Sequence, residues 1–97
     1  RIVEIARALA AEPRLVFLDE PFAGMSSEEA RGICDLLLGL RRKTGMALVI
    51  VDHNVEVLTG IAERLVALAE GRLVAEGQAA AVLSDPTVIR SYVGADV

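Results

Sequence analysis

Apolar residues in this chain fall into two patterns, some spaced three and four apart and others packed in short unbroken runs. Ile2, Ile5, Ala6 and Leu9 lie on one face of a helix predicted over Arg1 to Ala11, with Pro13 just beyond its end. This helix opens without a capping side chain, so the chain reads as cut from something longer. Leu15 to Leu18 is a run of four apolar residues with β-branched and aromatic members, fitting a strand buried on both faces of a parallel sheet. It ends in Asp19-Glu20-Pro21, followed by a loop over Pro21 to Met25.

Ser26 with Glu29 forms a capping box for a second helix, whose stripe is Ala30, Ile33, Cys34, Leu37 and Leu38. Arg41, Arg42 and Lys43 complement its C-terminal dipole before Gly45 ends it. Met46 to Val51 is a second buried strand, ending at Asp52-His53-Asn54. Strand, helix, strand makes a βαβ unit, in which the two strands run parallel and their carboxyl ends share one edge. That places His53 on the same side as Asp19 and Glu20. A short helix over Val55 to Ile61 follows. Strands at Arg64 to Ala69 and Arg72 to Ala75 flank a tight turn at Glu70-Gly71, predicting a hairpin at the sheet's edge. Helices over Gln78 to Leu83 and Thr87 to Tyr92 close the chain, with Val93 to Val97 frayed. The fold class is α/β.

A length of 97 residues allows one domain at most, and a hydrophobic content of 54% requires that much of it be buried. No apolar run approaches the roughly 20 residues that cross a bilayer. The net charge of −4 disfavours a general nucleic-acid binder, which needs a basic surface. Arg41, Arg42 and Lys43 read as a solvated helix end. The single cysteine, Cys34, excludes an internal disulfide and reads as a buried, inert thiol.

Adjacent residues of an extended chain point different ways, so Asp19 and Glu20 suit different tasks, one anchoring a metal and one addressing a water. The bland alternative is a carboxylate pair that caps the following loop. An apolar strand ending in Asp is also the generic Walker B element of P-loop nucleotide hydrolases. Val3-Glu4-Ile5-Ala6-Arg7-Ala8-Leu9, then Leu18-Asp19-Glu20-Pro21, then Asp52-His53 resembles the ATP-binding subunits of ABC transporters in order and spacing, over essentially the whole chain. Gly60-Ile61-Ala62-Glu63-Arg64, Gly71-Arg72, Ala75-Glu76-Gly77 and Asp85-Pro86 with Tyr92-Val93-Gly94 look most like the branched-chain amino-acid importer group.

The resemblance implies a partial P-loop NTPase domain of the RecA-like ABC type, with residues 1–97 its C-terminal part. ATP and Mg²⁺ are the implied cofactors. Asp19 would hold Mg²⁺ through water, Glu20 would deprotonate the attacking water, and His53 would contact the γ-phosphate. Ala23, Gly24, Met25 and Ser26 fall at the D-loop, which touches a second ATPase subunit of a homo- or heterodimer; Ser26 replaces the commoner acid. The implied partners are that second subunit, transmembrane permease subunits and, indirectly, a periplasmic or extracellular solute-binding protein, with no nucleic acid. The implied location is the cytoplasmic face of the inner or plasma membrane. The chain contains no G-x-x-x-x-G-K-[ST] loop, Q-loop or signature motif, so by itself it is expected to be inactive. Two other readings are an ABC-type DNA-repair or chromosome ATPase head and a non-catalytic small α/β interaction module. A basic DNA-contacting surface would mark the first, and absence of nucleotide and Mg²⁺ binding the second.

Overall fold

The computed structural model describes residues 2–90, which divide after Val57 into two compact units. In the first unit, helix α1 (Ile2–Ala10) leads into strand β1 (Leu15–Asp19), helix α2 (Ser27–Thr44), strand β2 (Ala47–Val51) and the start of helix α3 (Val55–Ile61). β1 and β2 pair in parallel, residue for residue from Leu15 opposite Ala47 to Asp19 opposite Val51. This is the expected βαβ unit. β1 runs one residue further than the apolar run, because Glu20 N donates to Val51 O and keeps Asp19 in the ladder.

α2 begins and ends where its sequence directs. Ser26 Oγ accepts from Glu29 N at 3.1 Å while Ser26 N donates to Glu29 Oε1 at 3.2 Å. At the other end Gly45 takes φ 73°, a left-handed conformation open to glycine at no steric cost, and its N–H bonds Arg41 O. One face of α2 buries Ala30, Cys34 and Leu37. Ile33, Leu36 and Leu40 of the same helix line an open apolar groove with Ile5 and Leu9 of α1.

Burial of the parallel strands departs from expectation. Val16 and Leu18 are buried, but the alternate positions of β1 and β2 form an open apolar face, with Phe17 69% and Val51 55% exposed. In-register parallel pairing stacks Phe17 beside Val49 on that face, so both strands leave the same side uncovered. Runs of this composition belong to strands covered on both sides. Within the described residues, only one side is covered.

In the second unit, strands β3 (Arg64–Ala69) and β4 (Arg72–Gln78) form an antiparallel hairpin, followed by helices α4 (Ala79–Leu83) and α5 (Pro86–Val88). Both turn residues have positive φ, 53° at Glu70 and 75° at Gly71, as a two-residue type I′ connection requires. β4 continues past Ala75 to Gln78, through Gly77 at φ 147°, and a bulge interrupts pairing between Ala67 and Leu68. The hairpin, expected at the edge of the parallel sheet, does not pair with its strands. β3 and β4 form a separate two-stranded sheet, their facing backbone groups satisfied by each other. Ala67, Val82 and Val88 make its core, with Leu65, Val74 and Leu83 packed against them. The expected helix over Thr87 to Tyr92 starts at Pro86, capped by Asp85 Oδ1 accepting from Thr87 N at 2.8 Å. The last two residues of the expected range, Ser91 and Tyr92, together with Val93 to Val97 and Arg1, lie outside the described residues.

Candidate functional site

The site is built where β1 and β2 end together. Asp19 is the last residue of β1 and is exposed. Glu20 then leaves the strand at φ 49°, a left-handed conformation rare for a residue with a side chain. Such backbone costs of order 1–3 kcal/mol and gathers at functional positions. It turns the Glu20 carboxylate away from the direction a continued strand would have given it. Glu20 Oε1 lies 3.3 Å from His53 Nδ1, joining residues thirty-three positions apart. A carboxylate only accepts, so this contact requires the hydrogen to be on Nδ1, which leaves Nε2 turned to other partners. Both side chains are open to solvent.

Asp19 is not drawn into this pair. Among the described residues its carboxylate makes no hydrogen bond or ion pair, and no cluster of three His, Cys, Asp or Glu side chains forms a cage for a metal. A single accessible carboxylate at a strand mouth fits Mg²⁺, which keeps several waters and takes one or two carboxylates alongside phosphate oxygens.

The loop after Glu20 is fixed by short-range bonds. Ala23 N donates to Glu20 O at 3.3 Å and Met25 N to Phe22 O at 3.1 Å, while Gly24 adopts φ 78°. Ala23 and Met25 are half-buried, whereas Gly24 and Ser26 are exposed. The Ser26 hydroxyl is committed to the α2 cap. Phe22, at which the sequence raises no signal, is buried and anchors the loop.

Asp52, to which the sequence gives no role, is bonded to the backbone of both turns. Its side chain is 1% exposed. Oδ2 accepts from Phe22 N at 3.3 Å, and Oδ1 accepts from Asn54 N at 2.9 Å and lies 3.7 Å from His53 Nδ1. Asn54 Oδ1 in turn accepts from Val57 N at 3.2 Å, tying the β2 end to the first turn of α3. The signal that could have found Asp52 is its position directly after a buried strand, where a short acceptor reaches neighbouring backbone N–H groups. Cys34 is buried as expected. Desolvation, and then the charge of Asp35, raises its thiol pKa.

No protein-family profile matches the chain. It is 42% identical over 96 residues to the lipopolysaccharide export system ATP-binding protein LptB of Escherichia coli K12, an alignment covering 99% of this chain and 39% of LptB. It is 40% identical over 94 residues to the methionine import ATP-binding protein MetN of Rhizobium etli, covering 95% of this chain and 26% of MetN. Thus the chain spans about two-fifths or less of the curated relatives it matches. Its fold superposes on the ADP conformation of MJ1267, an ATP-binding cassette of an ABC transporter, with TM-score 0.85 and 33% identity, covering 96% of this chain and 38% of that one. It also matches cbiO1 of Clostridium perfringens, part of the ABC transporter complex cbiONQ, with TM-score 0.79 and 30% identity, covering 91% and 35%. In sequence and in fold, the chain is a homologue of part of the ABC transporter ATP-binding subunit.

Proposed function

We propose that residues 1–97 form the C-terminal part of one ABC ATPase domain and carry the water-activating half of an ATP-hydrolysing site. The observation that carries this reading is the 3.3 Å approach of Glu20 and His53 at the shared carboxyl end of two parallel strands. Ligands of open α/β sheets bind beyond that edge. Phosphoryl transfer asks mainly for positioning and for stabilisation of charge, so a carboxylate held against an imidazole suits it.

In this reading Glu20 takes the proton of the attacking water. His53 donates through Nδ1 to Glu20, which orients the carboxylate, and its other nitrogen would be the one to contact the γ-phosphate. Asp19 would hold Mg²⁺, which would supply positive charge to neutralise the phosphate oxygens. Ala23, Gly24, Met25 and Ser26 form the surface presented to a second ATPase subunit. With its hydroxyl used in the cap, Ser26 offers that subunit mainly its backbone and outer surface. The intact subunit works at the cytoplasmic face of the membrane, held there by permease subunits. No helix among the described residues is long and apolar enough to cross a membrane.

The finer proposal concerns cargo. The motifs from Gly60 to Gly77 look most like those of importers of branched-chain amino acids, which act through a permease supplied by a solute-binding protein, and that cargo is the one proposed. LptB and MetN, named for lipopolysaccharide export and methionine import, attach similar segments to other cargoes, so cargo choice falls to the permease. Uptake of labelled leucine by the reconstituted transporter tests it; ATP hydrolysis without uptake retires that cargo.

The test of the site is Glu20→Gln in the intact subunit. Loss of the general base is expected to lower kcat at least about a hundredfold, within the range for general-base catalysis, while ATP still binds. A kcat near that of the unaltered subunit would overturn the assignment.

A further inference from the structure

We infer that Asp52 is a positioning residue of the hydrolytic site, a buried two-armed clamp that sets the distance between the Glu20 turn and the His53 turn. This rests on the reading of Glu20 and His53 given above. One arm, Oδ2, reaches Phe22 N, two residues beyond Glu20; the other, Oδ1, reaches Asn54 N, one residue beyond His53. The two turns follow different strands, and at this edge Glu20 N also donates to Val51 O. A carboxylate has enough acceptor positions for both arms at once, with two oxygens fixed 120° apart on a rigid group. The side chain is 1% exposed, so water has little access to compete for either oxygen.

The geometry also explains why the clamp acts on the pair rather than on the fold generally. Phe22 is buried and fixes one end of the loop, so pulling its N–H toward Asp52 fixes where the Glu20 backbone turns. Oδ1 stands 3.7 Å from His53 Nδ1, on the side of the ring that faces Glu20. It therefore adds negative charge beside the ring nitrogen that must keep its hydrogen to hold Glu20. The Asp52 oxygens are already engaged by the Phe22 and Asn54 N–H groups. It therefore acts through Glu20 and His53, whose turns it joins.

Asn is nearly the same size as Asp but presents one acceptor and one donor. In Asp52→Asn the oxygen retains Asn54 N and the amide NH₂ opposes the N–H of Phe22, so one arm alone is released. In Asp52→Ala both are lost. The experiment measures amide hydrogen exchange at Phe22 and Asn54 in the nucleotide-free intact subunit, together with kcat and KM for ATP. Asp52→Asn is expected to speed exchange at Phe22 at least about tenfold with Asn54 little changed, and to lower kcat about tenfold with KM within about twofold, the scale of one charge-assisted hydrogen bond. Asp52→Ala is expected to speed exchange at both amides. If Asp52→Ala does not fold, the isosteric Asp52→Asn decides alone. Unaltered exchange at Phe22, or a kcat within twofold of the unaltered subunit, overturns the clamp. Glu20→Gln measured alongside separates the two claims. Activity surviving Glu20→Gln defeats the site assignment, whereas activity lost in Glu20→Gln but intact in Asp52→Asn defeats only the clamp.

Discussion

Residue identity alone separated some roles here and left others open. Asp19 and Glu20 were expected to act separately because neighbouring side chains on an extended chain diverge. The structure divides them by a different device, since Glu20 has already left the strand at φ 49°. A left-handed glutamate has no sequence signature, unlike a glycine in the same conformation, so this turn was not legible. Asp52 was similarly opaque: an acid next to a histidine reads as part of an exposed polar cluster until burial shows its oxygens facing backbone N–H groups. Cys34 was legible, because it lies on the apolar stripe of α2. Its raised pKa keeps the thiol protonated near neutrality, and alkylation by iodoacetamide is expected to be at least about tenfold slower in the folded chain than in denaturant. Because the folded value exceeds the unfolded one, the stabilisation is complete below the unfolded thiol's pKa and is lost as pH rises through the folded one. Melting curves should therefore show the unaltered chain losing more stability toward alkaline pH than Cys34→Ala does.

At the scale of elements, local chemistry set the ends better than the middles. Ser26, Glu29 and Gly45 bracket α2 as expected, since capping depends on residues only a few positions apart. The cap also changes the reading of Ser26, whose hydroxyl serves the helix. Ser26→Ala should lower stability by about 1 kcal/mol, whereas Ser26→Asp, an equally good cap, should stay within about 0.5 kcal/mol of the unaltered chain. Equilibrium denaturation of the three proteins checks this. Comparing hydrolysis in Ser26→Asp with the unaltered subunit then tests the proposed subunit-contact surface without a stability change. The Glu70-Gly71 turn was legible for the same local reason, but the hairpin's independence was not. Whether an antiparallel pair joins a neighbouring sheet depends on which edges meet, and sequence spacing does not encode that.

For the whole molecule, the main surprise is the open face of the parallel pair. Leu15, Phe17, Val49 and Val51 show more apolar surface than a sheet of this composition normally leaves wet. The isolated chain is therefore expected to bind a hydrophobic dye such as ANS, and a Phe17→Ser, Val51→Ser double variant to bind substantially less. Equal fluorescence from both would show that the dye reports another surface. Hydrophobic periodicity, helix caps and turn chemistry were enough to establish an α/β chain with a βαβ unit, because each depends on residues near one another in sequence. The ordered segments also carried the family resemblance. Only the tertiary structure decided which strand face stays uncovered, that Glu20 meets His53 while Asp19 stands apart, and that buried Asp52 ties their two turns together. Those outcomes depend on burial and on contacts between residues some thirty positions apart, which exist only once the strands have paired.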